Sequence, residues 1–216
     1  MQLDHLFFGL PAIQFDEKLG QFPVSKFVNH QKVVTTDDNW EGLYIYCKNK
    51  TYFEYLRERR NHKFGIAIQS QTPIEAGPPA EVRSNSNLSW KHGTRYSENG
   101  KFWFNWFAME STRDLEIPFV FWIMQYDESY LNRLSTMLPL KSPYSSIESI
   151  QIEASFGLRN RFKYNSQFFS EIVSEDLNST AINFPDTQIH IQWMDLIDKN
   201  PIELIELKFK RNESLG

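Results

Sequence analysis

Few residues of this sequence have the type and setting that chemistry requires. His5 lies in the apolar segment Leu3-Asp4-His5-Leu6, and Glu54 lies between two aromatic residues in a strand-like segment. An imidazole and a carboxylate can bind a divalent metal or exchange protons. Each can equally be a hydrogen-bonded core residue, and Glu54 can also face solvent. The residues alone leave these alternatives open.

Other reactive groups lack the companions that catalytic motifs require. The single cysteine, Cys47, lies in a predicted strand, so we expect a packed thiol and no internal disulfide. Asp4 and most other histidines show no spacing that singles them out, although His92 is a possible further donor. The sequence contains no serine-nucleophile elbow, no phosphate-binding glycine loop and no paired cysteines with metal-ligand spacing.

Composition and charge exclude two classes of partner. The 216-residue chain has a formal net charge of −4, and its lysines and arginines are scattered, so no basic face is predicted to follow nucleic acid. No apolar run reaches membrane-spanning length, and the first residues lack the features of a signal peptide. We therefore expect a cytoplasmic protein that binds neither nucleic acid nor membranes.

The predicted elements recur in one order, which is a strand, a helix and three further strands. The order fits residues 1–60, 61–128 and 145–210. In the third unit the helix is predicted at Tyr164–Val173, and the last of the three strands at Ile202–Lys210. One such unit is too small to bury its own sheet face, so two units should pair into a curved sheet around a cleft. The third unit packs either on that pair or on a second molecule, which motivates a homodimer hypothesis.

Aromatic residues are abundant, with 18 Phe, 9 Tyr and 6 Trp. Most are expected in the core, because rings pack well on pleated strands. Some are candidates to line a pocket for a small planar or aromatic ligand. The predicted pocket combines these rings with two orienting amides: Trp103, Trp106, Trp122, Tyr126, Asn105 and Gln125.

Short motifs in the first 130 residues resemble a known superfamily, and the last 80 follow it only by pattern. The motifs are Leu3-Asp4-His5-Leu6, Trp40-x-Gly42-x-Tyr44-x-Tyr46, Asn49-x-Thr51-Tyr52-Phe53-Glu54-Tyr55-Leu56 and Trp122-Ile123-Met124-Gln125-Tyr126-Asp127. Together with the repeated βαβββ order, they resemble the glyoxalase-like (vicinal oxygen chelate) superfamily and, most closely, a bacterial family of glyoxalase-like proteins. The resemblance implies an α+β fold of tandem βαβββ modules whose curved mixed sheets surround a cleft.

The resemblance also implies a site for a divalent metal such as Zn, Fe, Mn or Ni, between two modules. Its ligand positions correspond to His5 and Glu54 in the first module and, in the second, to Gln125 and a position near Gly65 that offers no donor. Glu54 is also the natural candidate for a general base. A site that is one ligand short favours a small-molecule binding protein with a degraded metal site. The alternatives are a metal-dependent lyase, isomerase or dioxygenase of this superfamily and a protein-interaction module.

Overall fold

The computed structural model describes most of the chain. The described residues are 2–25, 27–34, 39–58, 63–72, 74, 77–83, 89–96, 102–109, 118–127, 142–195 and 202–212, without the side chains at 58, 102 and 103. In the described residues, no helix is long and apolar enough to cross a membrane.

Two βαβββ units form one eight-stranded sheet. Their elements are β1 (Gln2–Pro11), α1 (Ala12–Gln21), β2 (Val28–Val34), β3 (Asn39–Tyr46), β4 (Tyr52–Glu58), β5 (Lys63–Gln69), α2 (Ala80–Arg83), β6 (Trp90–Tyr96), β7 (Phe102–Met109) and β8 (Phe119–Tyr126). The strand order is β2-β3-β4-β1-β5-β8-β7-β6. The two units meet where β1 pairs antiparallel with β5, and each first strand pairs in parallel with the last strand of its own unit. This curved mixed sheet confirms the predicted fold class.

The rest of the described chain forms a five-stranded sheet. Its elements are β9 (Tyr144–Ser155), a 3-10 turn (Phe156–Leu158), α3 (Arg159–Asn165), a second 3-10 segment (Gln167–Ile172), β10 (Val173–Glu175), β11 (Ser179–Phe184), β12 (Thr187–Met194) and β13 (Ile202–Arg211). The strand order is β10-β11-β12-β9-β13. The helical segment thus begins earlier than predicted. β13 is a strand as predicted, but its pairing differs from that of a last strand of the unit. It pairs antiparallel with β9, just as β5 pairs with β1. The three strands that follow the helical segment are therefore β10, β11 and β12.

The main core lies between the two sheets. Alternate residues of the first sheet, such as Phe8, Phe53 and Phe121, are fully buried on the face toward the second sheet. The ring of Phe121 lies 5.4 Å from that of Phe162 and 5.3 Å from that of Phe169, both in the helical segment after β9. This packing fixes which side chains of the first sheet point away from the core. We call that opposite side the cleft face.

Candidate functional site

The structure places His5 and Glu54 on the cleft face, in adjacent strands. In the parallel pairing of β1 with β4, His5 lies opposite Tyr52 and Phe7 lies opposite Glu54. Their neighbours Leu6 and Phe53 point into the core, so strand alternation turns both polar side chains to the other side. His5 is 3% exposed and Glu54 is 5% exposed, and burial at this level requires explanation for ionisable groups.

A β-bulge brings Asp4 to the same side as His5. The pairing of β1 with β5 shifts register between Leu3 and His5, so Asp4 has no partner residue on β5. Oδ2 of Asp4 lies 2.6 Å from Nδ1 of His5 and accepts a hydrogen bond of 2.9 Å from the hydroxyl of Tyr126. An Nδ1 proton donated to Asp4 leaves Nε2 as the imidazole atom with a free lone pair.

Aromatic rings hold the imidazole of His5 from two sides. The ring of Tyr52 stacks on it at 4.5 Å with an interplanar angle of 13°. The indole of Trp122 is tilted against it at 5.9 Å. With Asp4 fixing Nδ1 and two rings limiting rotation, the orientation of His5 is determined before any ligand binds.

Glu54 is a buried carboxyl group with one oxygen that lacks a partner. Burial raises its pKa to about 7, although the charge of His5 and hydrogen bonds from Tyr44 and Trp40 lower that pKa in part. Its Oε1 makes no hydrogen bond with any described residue. That oxygen lies over Gly42, where a Cβ would come within 2.5 Å of it. Glycine at this position leaves the space that the carboxyl group occupies, and a carboxyl that titrates near neutral pH is able to take up or release a proton.

Apolar rings fill the half of the site that belongs to the second unit. The ring of Phe7 covers Gly65 so closely that a Cβ on residue 65 would overlap it. Trp122 stacks on Phe7 with a centroid distance of 5.3 Å. Trp122 lies opposite Ala67 in the pairing of β5 with β8, just as Glu54 lies opposite Phe7 in the pairing of β1 with β4. Trp122 therefore occupies the position in the second unit that corresponds to Glu54.

Gln125 and Asn105 lie on the opposite face, contrary to the predicted site. Gln125 is three residues from Trp122 along β8, and strand alternation therefore turns it away from the cleft face. Its Nε2 donates to the carbonyl oxygens of Thr72 at 3.1 Å and Gly77 at 3.0 Å. Nδ2 of Asn105 donates to Oε1 of Gln125 at 3.3 Å. Both amides thus hold the segment before α2 against the sheet, and neither is placed beside His5 or Glu54.

The remaining predicted pocket residues that the structure describes lie together on the cleft face, whereas the possible further donor His92 does not. Trp106, Trp122 and Tyr126 belong to one cluster on the cleft face. The Nε1 atoms of Trp106 and Trp122 are buried without a partner in the described part of the chain, whereas the Tyr126 hydroxyl is bonded to Asp4. His92 is exposed, and its ring stacks at 5.8 Å on Phe107, which faces the core. The side chain of Trp103 lies outside the described residues.

These side chains do not fit the metal site that the resemblance implies. The cleft face offers Nε2 of His5 and the carboxyl group of Glu54 as two donors, whereas protein sites for transition metals usually provide three or four. Across the described ranges, no group of three or more His, Cys, Asp or Glu side chains is placed to hold a metal ion.

Comparison with known proteins identifies the fold and goes no further. No protein-family model and no curated protein sequence matches the chain. A hypothetical protein from Staphylococcus aureus aligns with 90% of this chain and 87% of its own, at 15% identity and a TM-score of 0.58. The 2,2',3-trihydroxybiphenyl 1,2-dioxygenase from Sphingomonas wittichii aligns with 99% of this chain and 74% of its own, at 7% identity and a TM-score of 0.53. Such neighbours and the curved mixed sheet confirm that the chain has the fold of the vicinal oxygen chelate superfamily.

Proposed function

We propose that the protein binds a small planar or aromatic molecule on its cleft face, using a glyoxalase-like scaffold whose metal site is degraded. One observation carries the proposal. Three buried polar atoms on this face, which are Oε1 of Glu54 and Nε1 of Trp106 and Trp122, have no partner among the described residues. More than nine in ten buried polar groups in proteins do have a partner, so such a group needs an explanation. A bound ligand that forms hydrogen bonds with these three atoms would explain why they are buried.

The three atoms define what this ligand must offer. When its carboxyl group is ionised, Oε1 of Glu54 accepts, so the ligand needs an N–H or O–H group. The two indole N–H groups donate, so the ligand also needs acceptor atoms. The rings of Phe7, Trp106 and Trp122 provide flat apolar surface for stacking. A heteroaromatic molecule with a donor and an acceptor on its edge matches this combination.

A thermal-shift screen with planar heteroaromatic compounds, followed by calorimetric titration of those that stabilise the protein, tests the proposal. Trp122→Phe keeps a ring but removes the indole N–H, so we expect it to weaken binding roughly 2- to 10-fold. Trp90→Phe is the matched control, because Trp90 packs on Phe168 in the core and its Nε1 also lacks a partner in the described chain. No stabilising compound at millimolar concentration, or equal effects of the two variants, would contradict the proposal.

The pair formed by Asp4 and His5 favours one alternative, a metal-dependent enzyme. A histidine that binds a metal usually donates its other ring N–H to a carboxylate or carbonyl, and Asp4 holds Nδ1 of His5 in that way. In this alternative substrate oxygens would supply the donors that the described residues lack. Elemental analysis of protein purified without added metal distinguishes the two functions. The alternative is excluded by negligible transition-metal content together with no thermal stabilisation by added Zn, Mn, Ni or Fe.

We further propose that the protein is cytoplasmic and forms a homodimer. In the first sheet four strands of a second unit follow β1, whereas in the described part of the second sheet the single strand β13 follows β9. The second sheet therefore ends at an edge strand, with which a second copy of the chain can pair. Sedimentation equilibrium tests this part, and a strict monomer at micromolar concentration would refute it.

A further inference from the structure

The carboxyl group of Glu54 is a buried acid that no lysine or arginine neutralises. The groups that act on its pKa, besides burial itself, are His5, Tyr44 and Trp40. Its Oε1 is left without a hydrogen bond among the described residues, although the residue is only 5% exposed. A buried carboxylate needs a partner that offers N–H or O–H groups, because burial removes the water that would otherwise solvate it.

The pair formed by Asp4 and Tyr126 makes His5 a second acceptor on the same face. Oδ2 of Asp4 lies 2.6 Å from Nδ1 of His5 and accepts a hydrogen bond from the Tyr126 hydroxyl at 2.9 Å. A proton on Nδ1 leaves the lone pair of the neutral imidazole on Nε2, so this atom accepts a hydrogen bond. Asp4 belongs to the first unit and Tyr126 to the second, so both halves of the first sheet fix this arrangement.

The two acceptors are neighbours across one strand pair. In the parallel register of β1 with β4, His5 lies opposite Tyr52, and Glu54 follows Tyr52 by two residues on the same face. The charge of His5 acts on the carboxyl group of Glu54, which agrees with this proximity. Two adjacent acceptors are matched by a ligand that carries two adjacent donors on one edge.

Aromatic rings border these acceptors and determine the shape of the ligand. The indole of Trp122 lies 5.9 Å from the ring of His5 and 5.3 Å from that of Phe7, on which it stacks. Its Nε1 is a buried donor without a partner in the described chain. A flat ring on this surface can therefore present one edge to the two acceptors and an acceptor atom to Trp122.

We propose that the ligand of the cleft face is an amino-substituted nitrogen heteroaromatic, in which a ring N–H and the neighbouring amino group form a pair of donors. One donor binds Oε1 of Glu54 and the other binds Nε2 of His5. The ring lies on Trp122 and Phe7, and a second ring nitrogen accepts from Nε1 of Trp122. This inference rests on the proposed function, because it specifies the ligand of the same site.

Three benzimidazoles of nearly equal size test the proposal. 2-Aminobenzimidazole has the adjacent donor pair, 2-methylbenzimidazole keeps only the ring N–H, and 2-benzimidazolinone places a carbonyl beside the N–H. Calorimetry at pH 8, where Glu54 is ionised, measures the affinities, and amide chemical shifts in ¹⁵N-labelled protein locate the probes. We expect the amine to bind roughly 3- to 30-fold more tightly than either analogue, with shifts concentrated in β1, β4 and β8.

Two variants separate the contributions of the two acceptors. His5→Phe keeps a ring but removes Nε2, so the preference for the amine over the methyl analogue should disappear. Glu54→Gln removes the charge that both probes contact through their ring N–H, so it should weaken both by a similar factor, roughly 5- to 30-fold. The matched controls His190→Phe and Glu171→Gln alter exposed residues of the second sheet and its helical segment, and they should change neither affinity.

The ranking of the three probes on the original protein decides the proposal even if a variant does not fold. Equal affinities of the amine and the methyl analogue, tightest binding of 2-benzimidazolinone, or an unchanged preference in a folded His5→Phe variant would overturn it. Absence of amine binding at millimolar concentration would overturn it as well. The broader proposed function survives each of these results if other planar compounds bind at β1 and β4, and it fails only if none does.

Discussion

The buried carboxyl group of Glu54 should make the stability of the protein depend on pH in an unusual direction. Burial raises its pKa from 4.5 to about 7, so the folded protein holds this proton more tightly than the unfolded chain does. The resulting stabilisation is complete below the unfolded pKa, near 4.5, and is lost as pH rises toward 7. Each tenfold change in proton affinity is worth about 1.4 kcal/mol, so the full effect is about 3 kcal/mol.

Glu54→Gln isolates this effect, because glutamine has nearly the same shape and cannot ionise. We expect the free energy of unfolding of the variant, relative to the original protein, to increase by about 2.5 kcal/mol between pH 5 and pH 8. For a chain of this length that corresponds to about 5 to 10 °C in the difference of melting temperatures. The measured quantity is the difference in unfolding free energy between the two proteins. In this difference the pH dependence of all other groups cancels, and a pH-independent cost of replacing the carboxyl group by an amide does not affect the slope.

Urea denaturation of both proteins at pH 5, 6, 7 and 8 provides the measurement. Glu171→Gln serves as the control, because this acid is exposed and its substitution should give a difference that does not vary with pH. Parallel stability curves for Glu54→Gln and the original protein would refute the reasoning, since they would mean that Glu54 is as well solvated in the folded protein as in the unfolded chain.

Two further substitutions test the packing on either side of the first sheet. Gln125→Leu leaves the carbonyl oxygens of Thr72 and Gly77 without their donor. We therefore expect the free energy of unfolding, measured by urea denaturation, to fall by about 2 to 4 kcal/mol. A decrease below about 0.5 kcal/mol would contradict the structural role assigned to Gln125. Gly65→Ala introduces a Cβ into the ring of Phe7 and should cost about 1 to 3 kcal/mol. Much of that cost should disappear in a Phe7→Leu background, and full additivity in this double-mutant cycle would contradict the contact.

The face on which Glu54 lies follows from the clear alternation of its strand. Phe53 and Tyr55 are strongly apolar and enter the core, so the residue between them has to face the other way. The repeated order of elements was equally informative for the first sheet, because each strand there is long enough to show a pattern. Both predictions depend on local periodicity, which a single sequence contains.

Gln125 and Asp4 show where periodicity stops being informative. β8 is apolar on both faces, so the pattern around Gln125 did not reveal which residues face the cleft. The resemblance alone led to Gln125 as a ligand, and the structure places it on the other face. Asp4 would face away from His5 in a regular strand, and only the bulge in the pairing with β5 turns it to the same side. A bulge depends on the partner strand, which adjacent residues do not specify.

The two halves of the first sheet keep one topology but differ in chemistry, and this difference bears on how the site works. The first half provides His5 and Glu54, and the second provides Gly65 and Trp122 at the corresponding places. A donor at position 65 would collide with Phe7. A carboxylate at position 122 would lose the stacking on Phe7 and add a further buried acid to the cleft face, which already carries Asp4 and Glu54. A symmetric metal site therefore requires concerted changes at three positions, whereas the rings as they stand already form a stacking surface beside one buried acceptor. This asymmetry favours the proposed binding surface over a metal centre.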